Sequence, residues 1–330
     1  MPVTANRQVN ISSGITTWGT TGTVVRKLHG ITQQSGQVVD KNQVVKALGW
    51  LGPSPISAQV SQTAEVSFEG VCVYEDLPTI LNGFFTGITA STSAAAPYLY
   101  PYTAPVSSTQ VFYHFTMEFG TSGAVYRSNG TVFNDLTIKG EAGDLWNYTV
   151  GAVAKQIING TTGVSTSVAD RPVNVVRMAD TTLYVDAFTA TGATTAVSAT
   201  LINFELDYKT GRHVKTFAGS VFPGDFGESN HEPTLKLTAE FNASAKAYVD
   251  ELLGSTGAAV KRAIKIRSSA SSSTITAAIH FAGQLVDGVK LFDDRYGNMT
   301  VGLNFSGVYS TAMANSLLIS IENGSSSVTT

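Results

Sequence analysis

The chain has 330 residues, 43% of them hydrophobic and only 14% charged, which is enough for two domains of ordinary size, each with its own core. Its 21 basic and 24 acidic side chains leave a formal charge of -3, without the basic excess of an electrostatic nucleic-acid binder or the acid block of an acidic tail. The single cysteine, Cys72, excludes an intramolecular disulfide and a cysteine-rich metal cage.

Met1 to Thr20 is polar and has no basic segment leading into an apolar one, so no secretory signal is expected and the product should stay in the cytosol. No stretch approaches the roughly 18 consecutive apolar residues of a membrane helix, and no membrane contact is expected. Eight Asn-x-Ser/Thr sites, at Asn10, Asn129, Asn147, Asn159, Asn242, Asn298, Asn304 and Asn323, follow from abundant Ser and Thr rather than from glycosylation.

Period-two alternation dominates the chain and predicts a mainly β protein. A long connection, Gln33 to Ser61, leads to a strand over Glu65 to Tyr74 in which Cys72 alternates with Val71 and Val73. Leu77, Ile80, Leu81, Phe84 and Phe85 then fall at i, i+3, i+4, i+7 and i+8, one apolar stripe of a helix that Asp76 would cap. Thr89 to Pro105, rich in Ala, Ser, Pro and Tyr, reads as a loop. Val111, Tyr113, Phe115, Met117 and Phe119 alternate with His114, Thr116 and Glu118, and Asn129-Gly130 and Asn159-Gly160 mark turns. Strands follow over Ile202 to Tyr208 and Thr234 to Phe241. A second helix carries Ala245, Tyr248, Val249, Leu252 and Leu253, after Asn242 as a cap and before Gly254 as a stop. Ile275, Ala277, Ile279 and Phe281 alternate again, and Tyr296-Gly297-Asn298 is a turn.

The two helical stripes are offset by 168 residues, and Tyr148 to Ala152 aligns with Met299 to Leu303 at an offset of 151. Both matches imply an internal duplication, with the difference of 17 residues taken up by an insert at about 89–105 in the first copy. The expected domains are 1–175 and 176–330, each built as strands, one helix, then more strands.

Candidate chemistry is sparse. His29, His114, His213, His231 and His280 form no His-x-x-x-His or His-Glu-x-x-His pattern, and no Gly-x-Ser-x-Gly or phosphate-loop motif occurs. His114 and His280 fall on polar phases and are read as structural. Asp225, Glu228, His231 and Glu232 crowd one loop, and Asp293, Asp294 and Asn298 another, but neither has the spacing of a calcium loop. Glu141 and Asp144 in a turn are weak evidence for a glycosidase pair. No cofactor, metal or catalytic residue is expected.

Four segments carry a family resemblance: Ala64 to Leu81, Asn134 to Trp146, Thr234 to Lys246 and Leu291 to Val301. Together they resemble tail tube (major tail) proteins of long-tailed, siphovirus-type bacteriophages in their two-domain form. The resemblance implies tandem β-sandwich or half-barrel domains, each with a flanking short helix, and a structural, non-enzymatic virion protein assembled in the host bacterial cytoplasm. It implies protomers that close into rings around a continuous β-barrel, six single-domain copies or three duplicated ones. The rings stack into a tube that houses a tape-measure protein, meets terminator and baseplate or distal tail proteins, and conducts double-stranded DNA.

On this reading Leu77, Ile80, Leu81, Phe84, Phe85, Tyr248, Val249, Leu252 and Leu253 pack the helices on their sheets. Trp50, Leu51, Ile56, Phe222 and Phe226 are candidate inter-ring contacts. Glu118, Glu205 and Asp207 are candidate lumen residues, and Tyr98, Tyr100 and Tyr102, in the insert, would pack between protomers or on the exterior. About four wall strands per domain make about 24 in a trimer. At roughly 4.8 Å spacing and about 40° tilt these give a radius of about 20–25 Å and a bore of about 30–35 Å, wide enough for one duplex. The alternative is a β-sandwich phage adhesin or carbohydrate-binding module, which would run as a discrete oligomer and bind glycan.

Overall fold

A computed structural model describes residues 8–44, 57–85, 92–106, 112–121, 124–160, 168, 171, 173–197, 201–254, 260–270, 275–295 and 298–325. In the first half the strands are β1 (Gln8–Ser12), β2 (Val24–Lys27), β3 (Ile31–Val44) and β4 (Ser57–Val71), then helix α1 (Leu77–Leu81). These are followed by β5 (Tyr98–Thr103), β6 (Phe115–Thr121), β7 (Ala124–Glu141), β8 (Asn147–Ala154) and β9 (Gln156–Asn159). The second half holds β10 (Thr181–Ala187), β11 (Ala196–Val197), β12 (Leu201–Lys209), β13 (His213–Lys215), β14 (Asp225–Gly227) and β15 (Glu232–Glu240). Helix α2 (Ala243–Gly254), β16 (Lys261–Ser269), β17 (Thr276–Arg295), β18 (Asn298–Gly307) and β19 (Leu317–Asn323) complete it. The protein is mainly β, with two short α-helices among the described residues.

Every strand pairing is antiparallel, and eight strands form one continuous sheet in the order β3-β4-β8-β7-β12-β15-β18-β17. The first four and the last four repeat one pattern: two strands before a helix, then the second and third strands of the hairpin series after it. The opening part of β7 leaves this sheet and joins β2-β1-β6-β7-β9, and the opening part of β17 likewise joins β10-β16-β17-β19.

Asn129-Gly130 explains how one strand serves two sheets. It is not the end of a hairpin but lies inside β7, where Gly130 takes φ +60° and bends the strand from one sheet into the other. Only a residue without Cβ adopts that conformation at low cost.

The apolar phases of both layers meet in one contiguous core that runs through both halves. Phe133 lies 5.2–5.6 Å, centroid to centroid, from Phe115, Phe84 and Phe68, and Phe85 stacks on Tyr208 of the second half at 4.8 Å. Leu77, Ile80 and Leu81 are buried in α1, and Phe84 and Phe85 are buried in the turn beyond its end. In α2 Val249 is buried, whereas the side chains of Tyr248, Leu252 and Leu253 lie outside the described residues.

Three local readings are corrected. Asp76 makes no side-chain cap; its carboxylate accepts the backbone N–H of His29 at 2.6 Å and pairs with Arg171 at 3.0 Å, tying the β2–β3 turn to the segment that joins the halves. Tyr100 and Tyr102 are not exterior. They sit on β5, which pairs with β19 of the second half, and both are fully buried. Tyr102 donates its hydroxyl to the carbonyl of Pro78 at 2.8 Å. The third concerns β6, which is covered on both faces, so that Thr116 and Glu118 are buried along with Phe115, Met117 and Phe119.

Candidate functional site

The eight-stranded sheet has one apolar face turned to the core and one polar face turned outward. Phe204, Leu206 and Tyr208 of β12 point inward, and Asn203, Glu205 and Asp207 alternate with them on the polar face. Directly paired residues share a face. Glu205 therefore stands beside Lys139 of β7 and Lys236 of β15, and Asp207 beside Thr137 and Thr234.

Lys236 holds both carboxylates, Glu205 at 2.5 Å and Asp207 at 3.5 Å, and Thr137 donates to Asp207 at 2.7 Å. The hydrogen bond to Glu205 raises the Lys236 pKa further above its ordinary value. Over this face Glu65, Glu69, Asp135, Glu141, Glu205, Asp207 and Glu232 outnumber Lys139, Lys209 and Lys236.

The same face is hollow. A concavity of about 550 Å³ is lined by Thr32, Glu69, Lys139, Glu141, Thr149, Asn203, Glu205, Lys236 and Asn304, which come from strands running from β3 to β18. Ser35, Gln37, Glu65, Ser67, Asp135 and Gly151 line a second hollow beside it.

Glu118, expected on such a face, is 4% exposed and ion-paired to Arg127, so it belongs to the interior. Period-two alternation put it on the polar phase, but a strand covered on both sides has no solvent phase.

The two ends of the sheet are open. Among the described residues β3 pairs with β4 alone, and from Val286 onward β17 pairs with β18 alone. Val38 and Val39 of β3 are 42% and 36% exposed. Beyond Thr63 the β3–β4 hairpin pairs with no third strand among the described residues, and it leads to Trp50, Leu51 and Ile56, which lie outside them.

Inside the chain the corresponding junction, between β7 and β12, is closed and clamped. The connection from β12 to β15 folds back over the first half: the amide of Gln62 donates to Val221 O at 2.8 Å, Trp18 donates to Pro223 O at 3.3 Å, and Phe226 packs on Trp18 at 5.4 Å. Phe222 is half-buried in the same connection.

Arg212, at the root of this connection, is buried and donates to the carbonyls of Gly83, Phe84 and Phe133, with its plane 4.3 Å over the Phe112 ring. Glu228 accepts from Arg212 Nε at 3.1 Å and bonds His231 Nε2 at 2.7 Å, and the other ring nitrogen of His231 bonds the Tyr208 hydroxyl. Burial lowers the Arg212 pKa. It opposes ionisation of Glu228 too, but the bond from His231 and the Arg212 charge prevail and hold that carboxyl below its usual value. The crowded loop at Asp225 to Glu232 thus works as a polar clamp. Among the described residues no group of His, Cys, Asp and Glu is placed to hold a metal ion.

An outward polar hollow and a sheet whose outer strands, among the described residues, each keep one unpaired edge suit a building block of an assembly. A family model described as phage tail tube protein matches residues 14–307. The chain belongs to this family. No curated protein matches the sequence. As a member of the tail tube family the chain is a structural virion component that self-assembles into a tube. Among the described residues no helix is long and apolar enough to cross a membrane.

Proposed function

We propose that three copies of this tail tube subunit close into a ring of six similar units, 1–175 and 176–330 from each chain, and that the rings stack into a tube of the siphovirus type. The reading rests above all on the eight-stranded sheet: its two four-strand units are joined through β7 and β12 as two neighbours in a ring would be. Three such sheets supply about 24 wall strands, whose barrel would admit a DNA duplex, roughly 20 Å across.

The hollow polar face becomes the lumen, with Glu205 and Asp207 in the bore. An acid-rich wall lets phosphates pass, whereas a wall of Lys and Arg would hold them through counterion release. Before ejection the same bore holds the tape-measure protein, and the tube ends meet terminator and baseplate or distal tail proteins. Stacking falls to the β3–β4 hairpin with Trp50, Leu51 and Ile56, and to the β12–β15 connection with Phe222 and Phe226. The subunit performs no reaction and takes no cofactor.

Negative-stain microscopy of the purified protein, together with the mass of cross-linked rings, tests the reading. Tubes of constant bore with three chains per ring are expected. Six chains per ring, or a discrete soluble oligomer that binds glycan, would overturn it.

A further inference from the structure

The intrachain junction is a template for the contact between chains. Strand directions alternate across all eight strands, so β3 of one copy meets β17 of the next antiparallel, without crossing. The β3 edge is also little protected against pairing, its only charges, Asp40 and Lys41, standing at one end. Its regular stretch from Gln33 to Lys41 has no proline and no bulge, the irregularities lying at Ile31/Gln33 and Lys41/Asn42, and it exposes β-branched Val38 and Val39. Soluble proteins blunt such edges unless a partner covers them.

The register follows from the repeat. Gly151 of β8 corresponds to Gly302 of β18; opposite them stand Ser67 of β4 and Thr238 of β15, and opposite those Ser35 of β3 and Asn203 of β12. Gln37 and Val39 therefore correspond to Glu205 and Asp207. On the other edge Asn147 faces Lys139 and Asn298 faces Arg295, while Thr149 faces Thr137 and Thr300 faces Asp293. Arg295 and Asp293 thus correspond to Lys139 and Thr137. Within the chain Glu205 is opposite Lys139 and Asp207 opposite Thr137.

We infer that a second copy of this chain adds its β3 edge to β17 with Gln37 opposite Arg295 and Val39 opposite Asp293. The inference rests on the ring reading above and adds the partner edge and the register. On β3 both residues belong to the polar face, Gln37 opposite Glu65 and Val39 opposite Thr63.

Cysteine cross-linking tests it in the full chain, whose own Cys72 is buried. Chains carrying both Gln37→Cys and Arg295→Cys are assembled and oxidised with diamide. Directly opposed residues lie about 4.5–5.5 Å apart at Cα, inside the range a disulfide spans, whereas partners displaced by two residues lie about 7–8 Å apart.

A covalent dimer and trimer ladder is expected from Gln37→Cys/Arg295→Cys and from Val39→Cys/Asp293→Cys, with loss of the ladder in Ser35→Cys/Arg295→Cys. Mixing the two single variants should stop at the dimer. Rings seen by microscopy with cross-links only in the displaced pair, or in none of the pairs, would overturn the register and leave the ring reading standing. Unmodified protein that forms no rings or tubes overturns both.

Discussion

The guanidinium of Arg212 donates to the carbonyl oxygen of Phe84 across the junction between the two halves, at 3.0 Å. Arg212 is buried, and its remaining donors serve Gly83, Phe133 and Glu228. Removing it leaves the buried carbonyls of Gly83 and Phe84 without this donor and Glu228 with His231 alone, and a buried polar group left unsatisfied costs about 1–3 kcal/mol. Arg212→Ala should therefore lower the denaturant midpoint of the unassembled subunit strongly. Arg212→Lys should recover part of the loss, since one ammonium cannot reproduce the planar fork. Equal midpoints for wild type and Arg212→Ala would show that the clamp carries no stability.

Leu81 is fully buried in α1 against the first-half core, and its truncation to Ala should cost about 2–5 kcal/mol. By the repeat, Leu252→Ala in α2 should cost a comparable amount. Thermal unfolding of the unassembled protein gives both values, and no change for Leu252→Ala would break the match between the helices.

Acid should weaken the fold through two histidines. Burial holds His114 down to about 4 and, with Lys265 and Arg267, holds His280 down to about 4. His114 bonds Thr17 O through Nε2, and its buried Nδ1 has no partner. For a histidine with a depressed folded pKa the stabilising effect is complete above the unfolded value of about 6.5 and is lost as pH falls toward 4. Stability measured by urea unfolding should fall between pH 6.5 and 4, and His114→Gln should flatten that slope. An unchanged slope in the variant would place the acid sensitivity elsewhere.

Much of this architecture is legible in the sequence, and its failures have physical causes. Leu77 to Phe85 reads correctly as a buried stripe because a local period is sufficient to define it, and the polar phase of Ile202 to Tyr208 identifies Glu205 and Asp207. Tyr98, Tyr100 and Tyr102 alternate with period two as well, but Pro101 and the surrounding Ala and Ser favour a loop. What makes them a strand is β19, more than two hundred residues away. Glu118 escapes a local reading for the same kind of reason: the connection from β1 to β2, about a hundred residues earlier, covers its face of β6, with Gly22 N donating to Thr116 at 2.9 Å and Trp18 against His114, and Arg127 pairs its carboxylate. The Arg212 clamp leaves only a weak trace, an arginine just after a strand, because its acceptors are main-chain carbonyls that no side-chain pattern marks.

The β3–β4 hairpin should govern stacking separately from folding. Its outer part carries exposed Val44 and Val60 and, among the described residues, pairs with no third strand, and an isolated two-stranded ribbon is marginal in water. Shortening the chain between Val44 and Ser57 should leave single rings, visible by microscopy and cross-linking, while tubes disappear. Loss of soluble folded protein would instead mean that the hairpin covers its own domain.

Charge reversal in the bore separates assembly from transport. Glu205 and Asp207 are partly exposed and share Lys236, so Glu205→Lys or Asp207→Lys removes one surface ion pair, worth at most about 1 kcal/mol, and sets two cations side by side on the polar face. The fold and the sheet edges are untouched, so tubes should form. A ring adds that positive charge once per chain and each stacked ring repeats it, so passing phosphates meet a row of new contacts, each with its own salt dependence. Phage assembled with either subunit should carry normal tails and eject DNA slowly at low salt, with the rate restored at high salt as the phosphate contacts are screened. Ejection at the wild-type rate at every salt concentration would remove these residues from the bore. Failure to form tubes would place them in an interface.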